Sequence, residues 1–318
     1  MNYKWIPTLG RFDADNGSLV FRGGQRTVDG QTQLEVGNII NDQLFGGGTV
    51  SAKIEFLESV EQEACELILH YAPTIPGGGF ITAGLGGHGA LASVRTYVAT
   101  QTPTPWTINA AAGMKEQLKP KRVYSVTASV RGSRVDLTVD GVHLLSTDLR
   151  SSFPMGQTGI WCIGKTDVRV SEFSVTSERP RAFAIMQFST PYNELFADVI
   201  KPVCDQLGLQ VSRADDAFGP GVIIADIAKQ ILEAKIVIAE ITPKNPNVFY
   251  EVGYAHALNK PTILIAEKPA ELPFDVSPFR TLFYENSIAG KAKIEAGLRR
   301  HLEAIQQQWV PVPGDRPA

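Results

Sequence analysis

The chain has 318 residues, 43% hydrophobic and 20% charged, with a formal net charge of −3. That length carries a prior of about two domains, and the composition is that of a globular protein and not a disordered one. The near-neutral charge argues against a general nucleic-acid or membrane surface. Cys65, Cys162 and Cys204 are odd in number and widely spaced. They fit neither a disulfide framework nor a metal site, which points to a reducing, cytoplasmic compartment. The opening Met1-Asn-Tyr-Lys-Trp-Ile-Pro7 holds no apolar signal core, and no run is long enough for a membrane span.

Residues 1–178 have the pattern of an all-β domain. Asn16-Gly-Ser18 spells a glycosylation sequon, but with no secretion signal it reads as a turn. Val50, Ala52, Ile54 and Phe56 alternate with Ser51, Lys53 and Glu55, which gives one apolar face at period two. Tyr124, Val126, Ala128 and Val130 repeat this, Arg131-Gly-Ser133 turns the chain, and Val135, Leu137 and Val139 follow. Asp140-Gly141 is a hairpin signal. Val168, Val170, Phe173 and Val175 form a last strand with a phase change near Glu172. Many short strands between glycine-rich turns predict a two-sheet sandwich or jelly roll.

Two stretches here invite a catalytic assignment and do not earn one. Glu55, Glu58, Glu61, Glu63 and Glu66 cluster in sequence but straddle a loop. They read as a solvated rim, because glycosidase chemistry needs a defined carboxylate pair across a ligand. Gly84-Leu-Gly-Gly-His-Gly89 spells a dinucleotide fingerprint, yet the next segment, Leu91 to Val98, alternates like a strand and offers no helix N-terminus. A glycine-rich turn is expected there.

Thr176-Ser-Glu-Arg-Pro-Arg181 is polar and places the domain boundary. From Ala182 the pattern becomes alternating strands and helices. Ala182–Phe188 is the first strand. Thr190-Pro191 opens a helix whose apolar stripe runs from Leu195 to Leu207, with Pro202 inside it as an expected kink. Leu209–Ser212 is a short strand and Val222–Ala234 a helix. Lys235–Ile241 is a buried parallel strand. Asn247 is placed as the cap of a helix running to about Leu258. Thr262–Ala266 and Thr281–Tyr284 are further strands, and Ala289–Ile305 closes the domain, which spans 181–310 before a loose tail at 311–318. Right-handed crossovers predict a doubly wound, flavodoxin-like sheet of order 2-1-3-4-5.

In such a sheet ligands bind beyond the carboxyl ends of the strands. Three loops converge there. Gln187, Phe188 and Ser189 lead into a helix N-terminus that favours an anion. Asp215 and Asp216 either hold ribose hydroxyls or cap the following turn. Asn247, Tyr250 and Glu251 supply polar groups and an aromatic wall. His256 is a packed helix histidine or a ligand contact. Glu251 by itself reads as a first-turns acid that complements the helix dipole.

The run Asn245-Pro-Asn-Val-Phe-Tyr-Glu-Val-Gly-Tyr-Ala-His-Ala257, after a strand that ends in Glu240-Ile-Thr242, resembles bacterial TIR-like proteins related to nucleoside 2-deoxyribosyltransferases. The resemblance covers Arg181 to about Ile305. The family carries Asp where this chain has Glu240. What the resemblance implies is a helix-borne catalytic glutamate, matched by Glu251, that stabilises or attacks C1′ during N-glycosidic cleavage. It implies NAD as substrate with no cofactor, an NAD+ glycohydrolase effector of antiphage defence, and a homo-oligomer. A nucleoside deoxyribosyltransferase and a non-catalytic nucleotide- or glycan-binding signalling module are the alternatives. In the first half, Gly46-Gly-Gly-Thr-Val-Ser-Ala52, the Tyr124–Leu145 meander and Gly156-Gln-Thr-Gly-Ile-Trp161 resemble concanavalin-like, laminin-G-type jelly rolls. That implies a glycan or signalling ligand on a sensor or assembly domain.

Overall fold

The computed structural model describes residues 3–28, 31–72, 79–99, 104–149, 155–214, 223–242, 244–269, 272 and 279–307. Two antiparallel sheets form a jelly-roll sandwich. The first has the order β1 (Trp5–Leu9), β5 (Gln31–Phe45), β14 (Gly156–Gly164), β7 (Ala64–Ala72), β8 (Gly79–Leu85), β9 (Ala90–Val98) and β10 (Trp106–Met114), with β4 (Gln25–Val28) paired to β5. The second has the order β13 (Val142–Asp148), β12 (Arg134–Val139), β11 (Val123–Arg131), β6 (Gly48–Phe56), β15 (Val168–Ser177), β3 (Ser18–Phe21) and β2 (Phe12–Asp15).

The period-two pattern works as expected. Val50, Ala52, Ile54 and Phe56 of β6 all point into the core, where they meet Leu67, Ala83, Leu137 and Ile160. Each large aliphatic or aromatic side chain buried this way contributes about 1.5–3 kcal/mol. Asp140 and Gly141 both take positive φ, 50° and 79°, as a tight hairpin turn requires. Glu172 has φ 50° where the pairing of β15 with β6 shifts between Ser171 and Ser174, so the phase change is a bulge.

One expectation is corrected here. Glu63 and Glu66 are no solvated rim: both are buried, and both accept several hydrogen bonds. Their partners come from strands and loops far along the chain, which a local cluster of acids cannot reveal. Cys65 and Cys162 are distant in sequence but directly paired across β7 and β14, with sulfurs 3.4 Å apart. Both thiols are free, and burial pushes that of Cys162 well up.

The second unit is a five-stranded parallel sheet in the order β17 (Gln210–Arg213), β16 (Arg181–Ile185), β18 (Ile236–Glu240), β19 (Thr262–Glu267) and β20 (Thr281–Tyr284). Helices cover both faces. On one, α1 (Tyr192–Leu195), a π-turn over Phe196–Ile200 and α2 (Lys201–Gln206) form a single run that packs beside α5 (Ile288–Gln307). On the other lie α3 (Ile223–Glu233) and α4 (Pro246–Ala257). Every residue of β18 is buried, which is why that strand reads as an unbroken apolar run. Pro202 does disturb its helix: it has no N–H to close onto the carbonyl of Asp198, and the turn before it widens into the π form. The cap of α4 is Asn245, whose side chain accepts from the Asn247 backbone, and Pro246 takes the first helical position. The assignment of the cap to Asn247 is therefore corrected.

The two units are joined at the β11–β12 turn. The backbone N–H and hydroxyl of Ser133 both donate to the Leu232 carbonyl at the end of α3, each at 3.1 Å. Lys260 Nζ donates to the carbonyls of Leu232 and Ala234, at 2.7 and 2.8 Å, and to Ser133 Oγ at 3.1 Å. Met155, from the sandwich side, packs into the α5-side core of the second unit. Gly132, at φ 58°, lies so close that a Cβ there would stand 2.4 Å from the Leu232 oxygen. Gly132→Ala is therefore expected to weaken the junction by about 1–3 kcal/mol. Calorimetry should show the transitions of the two units moving apart. One cooperative transition at the wild-type temperature would show that this contact does not join them.

Candidate functional site

At the carboxyl edge of the parallel sheet, the most buried ionisable group is Glu240. It ends β18 at 2% exposure. The Thr242 backbone N–H donates to both of its carboxyl oxygens at 3.1 Å, and Tyr284 Oη approaches Oε1 at 3.4 Å. These contacts favour the charged form, but burial outweighs them and raises the Glu240 carboxyl to about 8. Tyr192 and Tyr284 face the same group. Burial, then the Glu240 and Glu267 carboxylates, lifts Tyr192 to about 12 and pushes Tyr284 further up. The sequence flagged Glu240 only as a longer stand-in for Asp. Its place at the end of a wholly apolar strand was the signal that it would be buried.

The residues assigned to this edge from sequence are only partly brought together. Glu251, in the second turn of α4, is half-buried, and burial raises its carboxyl to about 7. Gln187 Nε2 donates to Ser189 Oγ at 2.8 Å, so these two are occupied with each other. Phe188 is exposed and receives the Arg213 guanidinium at 5.3 Å from its ring centre. Arg213 also donates to Asn193 and lies over Phe196. Asn247 is exposed, and Tyr250, at 62% exposure, points to solvent and forms no wall. His256 stacks on Phe279 with ring centres 4.5 Å apart, and burial lowers it. Asp215 and Asp216 lie outside the described residues.

The sandwich carries two polar-aromatic sites that the sequence did not announce. On the outer face of the first sheet, Glu66 accepts from Thr82 at 2.6 Å, Ser93 at 2.7 Å and twice from the Arg95 Nε at 3.0 and 3.1 Å, with the Arg95 Nη2 also in contact. The Arg95 guanidinium lies over both the Trp106 and Trp161 rings, 4.1 and 4.7 Å from their centres. The backbone of Gly87 closes over this cluster: a Cβ on it would collide with the Glu66 oxygen, the Ser93 hydroxyl and the Arg95 Nε. The ion pair is covered and fully engaged.

The other site is open. Tyr3, Trp5 and Phe173 form an edge-to-face triangle, with centroid distances of 5.9, 5.4 and 4.9 Å. They line a groove of about 390 Å³ together with Ser18, Ser171 and Glu172. The N–H of Val175 donates to Tyr3 Oη at 3.0 Å and pins that ring to β15. Glu172 pairs with Lys53 at 2.6 Å.

No family model matches the chain. No curated protein matches it either. Among solved structures it is similar to the carbohydrate-binding module CBM66 from Bacillus subtilis, at 11% identity and TM-score 0.43, over 53% of this chain and 92% of that one. It is similar to a Bacillus licheniformis β-glucanase, at 10% identity and TM-score 0.39, over 56% and 95%. It is also similar to the kappa-carrageenase from Pseudoalteromonas carrageenovora in complex with an oligotetrasaccharide, at 10% identity and TM-score 0.37, over 53% and 93%. These likenesses concern the jelly-roll sandwich, the fold expected for the first half.

NAD+ cleavage, expected from the Asn245–Ala257 motif, is overturned: the similar solved structures are glycan-binding and glycan-cleaving proteins.

The raised carboxyl of Glu240 has a measurable consequence. A folded pKa near 8, against an ordinary 4.5, means that the folded chain holds this proton more tightly than the unfolded chain. The stability it contributes is complete below about 4.5 and is lost as pH rises through 8. Between pH 5 and 9 the wild type should lose more than about 1.4 kcal/mol relative to Glu240→Gln, the equivalent of one pKa unit. Denaturant melts across that range check it, and parallel pH profiles would show that Glu240 is ionised throughout.

Proposed function

We propose that the chain is a glycan-recognition protein. Its sandwich binds a neutral saccharide in the groove formed by Tyr3, Trp5 and Phe173. The supporting observation is the pairing, within one open groove, of an aromatic triangle with hydroxyls and a carboxylate. A pyranose ring presents an apolar C–H face and a polar rim. The first packs on aromatic surface, and the hydroxyls of the second exchange hydrogen bonds with Ser18 and Ser171 and donate to the Glu172 carboxylate. A volume of about 390 Å³ suits a ligand of one or two sugar rings.

Binding is favoured over hydrolysis, although glycoside hydrolases share this fold. Hydrolysis needs two carboxyl groups facing each other across the scissile bond, roughly 5–10 Å apart. Glu66 is covered by Gly87 and committed to Arg95, Thr82 and Ser93. Glu63 is committed to the Thr166 N–H and hydroxyl. Glu172 is the single carboxylate lining the groove among the described residues.

The second unit is proposed as a doubly wound, flavodoxin-like module. The support is its strand order, β17-β16-β18-β19-β20, with helices on both faces. Its tie to the TIR-like family rests on the Asn245–Ala257 motif alone.

The groove is tested by screening the full chain on a panel of neutral oligosaccharides and following the strongest hit by calorimetry. Trp5→Ala and Phe173→Ala are each expected to weaken that hit about tenfold, the loss of one ring contact of about 1.4 kcal/mol. No saturable binding across the panel, or wild-type affinity in both folded variants, would rule the groove out.

A further inference from the structure

On the second unit, a groove of about 370 Å³ opens between the α1–α2 run and α5, at the carboxyl ends of β16 and β20. It lies on the α5 face of the sheet, whereas Glu251 and His256 are carried by α4 on the opposite face. Its volume falls in the range of small-molecule sites. Its inner surface is apolar: Leu195, Val199 and Ile294, with the Tyr284 ring at one end. Ile288, almost wholly exposed, stands at the lip.

The charged lining is one-sided. Glu194, Asp198 and Glu285 carry three carboxylates, against the single cation Lys291 among the described lining residues. The Glu194 carboxylate accepts from the Thr190 hydroxyl at 3.1 Å, and Glu285 lies 3.6 Å from Lys268 at the surface. Lys291 is drawn toward Glu295, 3.9 Å away on the next turn. Asp198 has no hydrogen-bond or ion-pair partner among the described residues. Asp198 and Val199 both belong to the π-turn before Pro202, a distortion that a regular helix would not contain and that recurs at functional sites.

From this combination of an apolar floor, a tyrosine end wall and an acidic rim, we propose that the groove is a binding site for a small organic amine. The ammonium group takes the Asp198 and Glu194 carboxylates, and the hydrocarbon part lies on Leu195, Val199 and Ile294. A carboxylate-bearing ligand of the same shape meets repulsion from three sides. The Tyr284 hydroxyl reaches Glu240, so an occupant of this groove touches the residue that covers the buried carboxyl of the sheet edge.

Benzylamine, benzyl alcohol and benzoate serve as probes of matched size and differing charge, titrated into the full chain and followed by NMR. Benzylamine is expected to saturate, with affinity about tenfold above benzyl alcohol and with benzoate weaker still, and the preference should shrink as salt is raised. Asp198→Asn is expected to weaken benzylamine threefold or more, in line with one exposed ion pair. Glu194→Gln, Asp198→Asn and Glu285→Gln together should erase the preference for the amine. Circular dichroism confirms that each variant is folded. Trp5→Ala should leave amine binding unchanged, which separates this site from the saccharide groove. Equal affinity for the amine and the alcohol, or an intact amine preference in the folded triple variant, would overturn the proposal.

Discussion

The Lys260 ammonium group is the contact on which the arrangement of the two units depends. It is 4% exposed and lies beneath the C-terminus of α3. A helix end leaves carbonyls without partners, and a buried end needs them satisfied. Lys260 answers this for Leu232 and Ala234, and in the same step reaches Ser133 on the sandwich. The negative end of the α3 dipole favours the cation. Burial, and then Lys235, works against it and lowers Lys260 to about 7. The junction is therefore made of hydrogen bonds that need one exact fit. It tolerates no side chain at Gly132, and the two units hold one orientation through a short connection in which Arg181 also pairs with Glu233 at 2.8 Å.

The same logic shows what could be read from the chain and what could not. The sandwich was legible because β6, β11 and β12 each bury alternate residues, and period two leaves few other solutions. The parallel sheet was legible because β18 is buried on both faces. Contacts between residues distant in the chain were not. Glu66 and Arg95 are 29 positions apart, and Cys65 and Cys162 are 97 apart; nothing local couples either pair. The sequon turn and the bulge at Glu172 were each visible alone. That Tyr3, Trp5 and Phe173 meet between them depends on β1 and β15 arriving at the same edge of the sandwich.

The carboxyl edge illustrates a different limit. Its sheet order placed Gln187, Asn247 and Glu251 near one another in principle, and three converging loops suggested one pocket. Side-chain direction decided otherwise. Gln187 turns onto Ser189, Tyr250 turns outward, and Phe188 is taken by Arg213. A motif specifies which residue types occupy an edge. Which of them face a common space depends on rotamers and on neighbours from other strands, here Tyr284, whose hydroxyl reaches Glu240.

Polar groups in this protein divide by whether the fold has already used them. Glu63, Glu66 and Lys260 are buried, and each is supplied with partners. A group so committed holds structure, because freeing it for a ligand would leave a desolvated charge behind. Glu172, Glu194 and Asp198 stand at groove rims in water, where exchanging solvent for a ligand costs little. Recognition is therefore expected at the rims, and the most buried carboxylates belong to the framework. The Tyr284 hydroxyl is the exception that connects the two sets, since its ring lines the α1–α5 groove while its oxygen reaches Glu240. Through it, a change at the surface of the second unit can bear on the buried Glu240 carboxyl at the sheet edge, which burial raises to about 8.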